Sequence, residues 1–219
     1  MNIRDIGLLI KSLREFSIGK VNGFYYWNDA DESDLSRLVR RHLSNPNDNE
    51  RQVIRGILHE KDVRSVLDIG CGPATELGGY KTHGLDLDYV GLDRSSYMLR
   101  LAKARNPDAR LVYGDMLQLP FADKSFDAVV LKHVLEHLHH YEGALREAFR
   151  VSRNLLIVDF FHTLLPFNLP ILDKKGYWNN WYSRNKFETF LQSLPVNRYE
   201  RMTTTGNSLQ TAEIYVAIK

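Results

Sequence analysis

The sequence predicts an α/β fold: a mostly parallel sheet with helices on both faces. Three observations carry that expectation. From Val63 onward, the runs RSVLDIG, DYVGLDRS, ARLVYGD, FDAVVLK and RNLLIVDF are β-branched or Leu-rich, and each ends near Asp or Gly. Most give way to a helical stretch, and near-continuous apolar strands alternating with helices are the pattern of a sheet buried on two sides. At the C-terminus, a helix near 183–193 is followed by PVNRYERMTTT and AEIYVAIK, with a Gly206-Asn207 turn signal between them. Strands joined so closely are most easily antiparallel neighbours.

Before Val63 the texture is helical, with apolar spacing broken by Asn, Asp and Pro clusters. Helices are expected near 3–15, 33–44 and 49–59, with FYYW at 24–27 in a loop between the first two. This divides the chain into an N-terminal helical cap or lid over 1–45 and a main domain over 46–219. There is no internal repeat and no low-complexity segment.

Composition excludes several function classes. Lys plus Arg number 29 against 27 for Asp plus Glu in 219 residues, a net charge of +2 with neutral histidines. A polyanion partner is therefore not implied, and the basic patch RLVRRH at 37–42 reads as a solvated helix face. Cys71 is the only cysteine, which rules out an intramolecular disulfide and a Cys-rich zinc cluster and fits a reducing, cytoplasmic setting. The apolar run in MNIRDIGLLIKSLREF is too short for a signal-peptide core. The stretch LLIVDFFHTLLPFNLPIL at 155–172 carries Asp159, His162, Asn168 and two prolines, which makes it a poor membrane span.

VLDIGCGPATEL at 66–77 is a strand, a glycine turn and a helix start. Gly70 and Gly72 remove side chains that would keep a ligand off the backbone, and Pro73 suits a first helical turn. A dinucleotide fingerprint fails because Thr75 stands where its third glycine is needed, and no phosphate-cradling lysine loop occurs. Two further strand ends raise the specificity. YVGLDRS puts Asp93 at the tip of the second strand, where a carboxylate can accept both ribose hydroxyls. YGDMLQLPF puts Asp115 just past the third, within reach of an adenine amino group. Asp68 near the end of the first can face an ammonium. Open α/β sheets bind ligands at this carboxyl edge.

Asp68-Ile-Gly-Cys-Gly-Pro73, Gly91-Leu-Asp93-Arg-Ser, Gly114-Asp115-Met-Leu-Gln-Leu-Pro-Phe121 and Ser125-Phe-Asp-Ala-Val-Val130 with the following His-Val-Leu-Glu-His resemble the class I S-adenosylmethionine-dependent methyltransferases. The likeness is to the small-molecule branch containing the ubiquinone and menaquinone methyltransferases, and it covers about residues 45–219. It implies a three-layer, Rossmann-like seven-stranded sheet with an antiparallel last strand. S-adenosylmethionine is the implied cofactor. The implied contact set is Asp68, Gly70, Cys71, Gly72, Asp93, Arg94, Asp115, Met116, Lys132 and His133. In the family the Gly70–Gly72 turn lies against the methionine portion, Asp93 holds the ribose, and Asp115 with Met116 brackets the adenine. ELGGYKTHGLDLDYVG at 76–91 departs from the family as a glycine-broken, short stretch, so a stunted helix or a mobile loop is expected there.

LKHVLEHLHH at 131–140 also reads as H-x-x-E-H, with His133, Glu136 and His137 in the inverted zinc-peptidase pattern. No third acidic ligand is clearly placed downstream, and the resembled family carries V-L-E-H here without metal. No metal is therefore expected, and the zinc hydrolase stays a remote alternative. His133, at the strand-to-helix junction, is either a general base with an ordinary pKa or a residue that packs against cofactor. Methyl transfer from a sulfonium needs mainly a positioned nucleophile, so no dedicated catalytic residue is obligatory. The aromatic clusters around Tyr26 and Trp27 and around Trp178 and Trp181 are expected to form a lid over a small, partly apolar acceptor. A non-catalytic, cofactor-binding scaffold is the alternative from another class.

Overall fold

The computed structural model describes residues 36, 39–40, 48–163, 165–170, 178–204 and 212–219. The expected helix near 3–15, nearly all of that near 33–44, the FYYW loop with Tyr26 and Trp27, and the Gly206-Asn207 turn lie outside the described residues.

Helix α1 (Asn49–Glu60) starts where Asp48 accepts the Arg51 backbone N–H at 2.8 Å, and it buries Ile54, Ile57 and Leu58. There follow β1 (Ser65–Ile69), α2 (Thr75–Thr82), β2 (Asp88–Asp93), α3 (Ser96–Arg105), β3 (Arg110–Tyr113) and β4 (Phe126–Lys132). A three-residue 3-10 turn (Leu135–His137) precedes α4 (Glu142–Val151), β5 (Ser152–Thr163), the two-residue β6 (Tyr182–Ser183), α5 (Arg184–Ser193), β7 (Arg198–Thr204) and β8 (Ala212–Ile218). The sheet runs β3-β2-β1-β4-β5-β8-β7, with β6 beside β5. The first five strands of that path are mutually parallel. β8 inserts antiparallel between β5 and β7. This is the sheet that the sequence pattern predicts, with the last strand in the chain reversed.

The alternating positions of the central strands separate two cores. Leu67, Ile69, Val129, Leu131, Leu156 and Val158 face α4 and α5. Val66, Ala128, Val130, Leu155 and Ile157 face α1 and α2. Each such Val, Leu or Ile side chain, withdrawn from water, contributes about 1.5–3 kcal/mol, which holds the carboxyl edge of the strands in fixed register. The aromatic cluster of Tyr141, Phe160, Tyr182, Phe187 and Tyr215 fills the first core beneath β8, with Phe160 stacked on Tyr215 at 5.9 Å.

The stunted helix expected after the glycine turn is α2, eight residues long and ended by Gly84 at φ +72°. One of its two glycines has a packing reason. A Cβ on Gly79 would sit 2.8 Å from Nε of Arg55, so the bare backbone is what lets that guanidinium lie across the helix. Among the described residues, no helix is long and apolar enough to cross a membrane.

Candidate active site at the carboxyl edge of the sheet

The turn after β1 is built from unusual backbone. Gly70, Gly72 and Ala74 all have positive φ, at 71°, 51° and 51°. At Gly70 the requirement is double, since an added Cβ would also sit 2.9 Å from Cβ of Val134. Asp93 braces the turn. Its Oδ2 accepts the Gly72 N–H and its Oδ1 accepts the Ser95 N–H, each at 2.8 Å. One carboxylate thus ties the glycine turn to the start of α3.

The cleft beside this turn has a volume of about 140 Å³ and is lined by Gly70, Cys71, Gly72, Pro73, Leu92, Asp93, Arg94, Met98, Gly114, Met116, Lys132 and His133, among others. Nine of the ten contact residues expected from the sequence therefore meet around one cavity, since Asp68 lines it as well. Asp115 is the tenth. Its Oδ1 accepts the Leu117 N–H at 2.9 Å, which folds the carboxylate into its own turn beside the cleft, while its neighbours Gly114 and Met116 form the wall.

Asp68 is buried at one end of the cleft, where the Tyr89 hydroxyl donates to its Oδ2 at 2.8 Å. Burial, helped by the charge of Glu76, pushes its carboxyl up to about 7 against the pull of that hydroxyl. Next to it, Arg51 and Arg55 from α1 converge on Glu76 of α2. Arg51 pairs with Glu76 through Nε and with Asp48 through Nη1 at 2.8 Å, and Arg55 lies 3.7 Å from Glu76. Arg51 and Glu76 line the cleft although neither is among the contact residues expected from the sequence. A signal existed: Arg51, Ile54, Arg55 and Leu58 fall at i, i+3, i+4 and i+7, so two arginines occupy the stripe that an amphipathic helix turns inward.

At the other end His133 sits directly after β4 with φ +48°. Its backbone N–H donates to the Asp159 carbonyl at 2.9 Å, extending the β4–β5 pairing by one residue. Its ring is ringed by carboxylates. Nδ1 lies 3.2 Å from Glu136, and Nε2 lies 3.5 Å from Glu50 and 3.4 Å from Asp159. Burial alone would lower the imidazole's pKa, but Asp159 first, and then Glu136 and Glu50, carry it up to about 10. These neighbours favour the imidazolium form, which lacks the lone pair that a general base needs.

The zinc-peptidase geometry is also absent. Only a three-residue 3-10 turn follows β4, so His133 and His137 do not share a helix face, and His137 Nδ1 lies 2.7 Å from the Trp178 carbonyl. His139 and His140 are exposed, as a solvated segment should be. Of the expected lid residues, Trp178 packs on His139 with ring centroids 5.1 Å apart, and Trp181 pairs through its backbone with Leu169. Neither lines the cleft, although the Trp178 carbonyl meets the lining residue His137.

Comparison with known proteins agrees with this architecture. Residues 67–155 match the family described as "Methyltransferase domain". A demethylmenaquinone methyltransferase of Paenarthrobacter aurescens is 31% identical over 170 residues, covering 76% of this chain and 59% of the relative; the chain thus spans under two thirds of that protein's length. In fold, the magnesium protoporphyrin IX methyltransferase of Synechocystis PCC 6803 with bound SAH superposes with a TM-score of 0.68 at 15% identity, covering 89% of this chain and 96% of that one. A Burkholderia thailandensis 1,6-didemethyltoxoflavin-N1-methyltransferase with bound S-adenosylhomocysteine gives 0.67 at 13% identity, covering 94% and 93%.

Proposed function

We propose that this chain, which carries a class I S-adenosylmethionine-dependent methyltransferase domain, transfers the sulfonium methyl group to a small, partly apolar acceptor by in-line displacement. The observation that carries the reading is the Gly70–Gly72 turn, pinned open by Asp93 and facing a cleft with Asp68 at one end and His133 at the other. In this reading the bare backbone of the turn lies along the methionine portion of the cofactor. Asp68 faces its ammonium, Arg51 its carboxylate, Asp93 the ribose hydroxyls, and Met116 covers the adenine. Asp115 serves the adenine amino group only after leaving its turn with Leu117.

The cofactor brings its own leaving group, a neutral thioether, so the chain's task is alignment. Holding a nucleophile at near-attack distance supplies up to about 7–11 kcal/mol of the barrier. No proton acceptor is asked of His133 in this proposal. Its cationic ring and the carboxylates around it set the polarity of the acceptor end of the cleft, and Trp178 and Trp181 flank that end. Demethylmenaquinone, named in the relatives, is the first acceptor to assay. A cytoplasmic setting, consistent with one cysteine, completes the reading.

Titration calorimetry with S-adenosylhomocysteine tests it. Saturable one-to-one binding is expected, weakened in Asp93→Asn. Folded protein that shows no heat at millimolar ligand would remove the proposal, and with it any scaffold role that depends on the cofactor.

A further inference from the structure

Where the carboxyl ends of β4 and β5 meet the start of α1, three potential ligands come from three distant parts of the chain: Glu50, His133 and Asp159. A carboxylate oxygen of each acid and a ring nitrogen of the histidine all lie within 4.8 Å of one another. Donors bonded to one ion at roughly 2.1 Å stand at most about 4.2 Å apart, so shifts of well under an ångström would close the set on an ion.

Two features distinguish this cluster from an ordinary group of acids. Asp159 is wholly buried on β5, and neither of its carboxylate oxygens accepts a hydrogen bond. Among the described residues, the cations paired with it are His133 at 3.4 Å and Lys132 at 3.8 Å. A fully desolvated carboxylate left this way is costly unless a cation completes it. Glu136 repeats the pattern, with Oε2 buried and accepting no hydrogen bond. Three carboxylates, Glu50, Glu136 and Asp159, thus face the His133 ring. Lys132 Nζ lies 3.5 Å from Glu50, 3.8 Å from Asp159 and 3.9 Å from Asp48, so a metal ion would share these carboxylates with its ammonium.

We propose that Glu50, His133 and Asp159 bind one divalent metal ion, with Glu136 beside the ligands as an outer carboxylate. One imidazole with two carboxylates suits Mn²⁺ or Zn²⁺ better than the all-oxygen preference of Mg²⁺ or Ca²⁺. The proposal does not need the methyltransferase reading for the binding itself, but it rests on that reading for its purpose. His133 lines the cofactor cleft, so the ion would sit where an acceptor oxygen arrives, holding and polarising it beside the transferable methyl.

The test uses the full chain stripped with a chelator and titrated with MnCl₂, ZnCl₂ and MgCl₂ by calorimetry, in two buffers of different ionisation enthalpy. Mn²⁺ or Zn²⁺ is expected to bind one-to-one and more tightly than Mg²⁺, releasing about one proton near neutral pH because the imidazole must deprotonate to ligate. Glu50→Gln, a near-isosteric change close to the surface, is expected to weaken binding by about tenfold or more. His133→Ala is expected to weaken it further and to abolish the proton release. No binding of Mn²⁺ or Zn²⁺, or binding unchanged in both variants, overturns the site. S-adenosylhomocysteine titrated into the same samples separates the two readings: retained cofactor binding without metal binding overturns the metal site alone, and the converse overturns the methyltransferase assignment alone.

Discussion

Gly70 combines a left-handed backbone with a Val134 side chain pressed against it, and no L-residue meets both conditions. Gly70→Ala is expected to lose about 1–3 kcal/mol of stability from strain of this kind, read as a fall in the thermal midpoint, together with weaker binding of S-adenosylhomocysteine. An alanine variant with wild-type melting and affinity would contradict the geometry. Asp93 is equally exposed to test. An amide offers one acceptor oxygen where the carboxylate supplies two, so Asp93→Asn leaves either Gly72 or Ser95 without its partner, at about 1–3 kcal/mol. Asp68 gives a pH-dependent prediction. Its carboxyl is pushed up to about 7 mainly by burial, and a bound ammonium requires the ionised form. Cofactor affinity should therefore fall as pH drops below about 7, approaching tenfold per pH unit. Asp68→Asn should flatten that slope, and identical profiles for the two proteins would refute the ammonium contact.

Among elements, the pairing of α1 with α2 is the least visible from local sequence. Glu76 is 6% exposed and is shared by Arg51 and Arg55, both also buried. Removing one member of a buried pair costs about 3–5 kcal/mol, because uncompensated charge stays in the interior. Glu76→Ala should thus lower the urea midpoint strongly, while Glu76→Gln, which keeps the shape and some hydrogen bonding, should cost less. Equal losses in the two variants would mean that packing, not charge, dominates there. The elements themselves were largely legible. Strands with alternating burial and the reversed C-terminal pair follow from side-chain period and linker length, which are local properties. The segment after β4 was less so. LEHL has helical spacing, but only a 3-10 turn forms: the Leu138 N–H reaches back to the Leu135 carbonyl at 2.9 Å, and the Tyr182 hydroxyl lies 2.7 Å from the Leu135 and Leu138 carbonyls.

At the scale of the whole molecule, the His133 cluster should govern the pH dependence of stability. His133 is raised from 6.5 to about 10. Its contribution is therefore fully present below about pH 6.5 and is lost as pH rises through about 10. Glu50 is lowered from 4.5 to about 2, chiefly by the hydrogen bond from His133. Its contribution is present above about pH 4.5 and is lost as pH falls through about 2. Chelator-treated protein should consequently lose stability between about pH 7 and 10 more steeply than its His133→Gln variant in denaturant titrations. Parallel slopes would show that His133 is not held protonated by its neighbours.

The sequence by itself determined the sheet, the glycine turn and the carboxylates at successive strand ends. Each of these is written in a few adjacent residues: alternation, positive-φ glycine, an acid where a strand stops. Tertiary structure alone decided that Asp159, in an apolar run that the sequence marks only as unsuited to a membrane, lies against His133 and Glu50. It also decided that three carboxylates surround the His133 ring and favour its protonated form. Those outcomes depend on desolvation and on charges brought together by α1 packing over the ends of β4 and β5, and no local pattern encodes the distance between side chains so far apart in the chain.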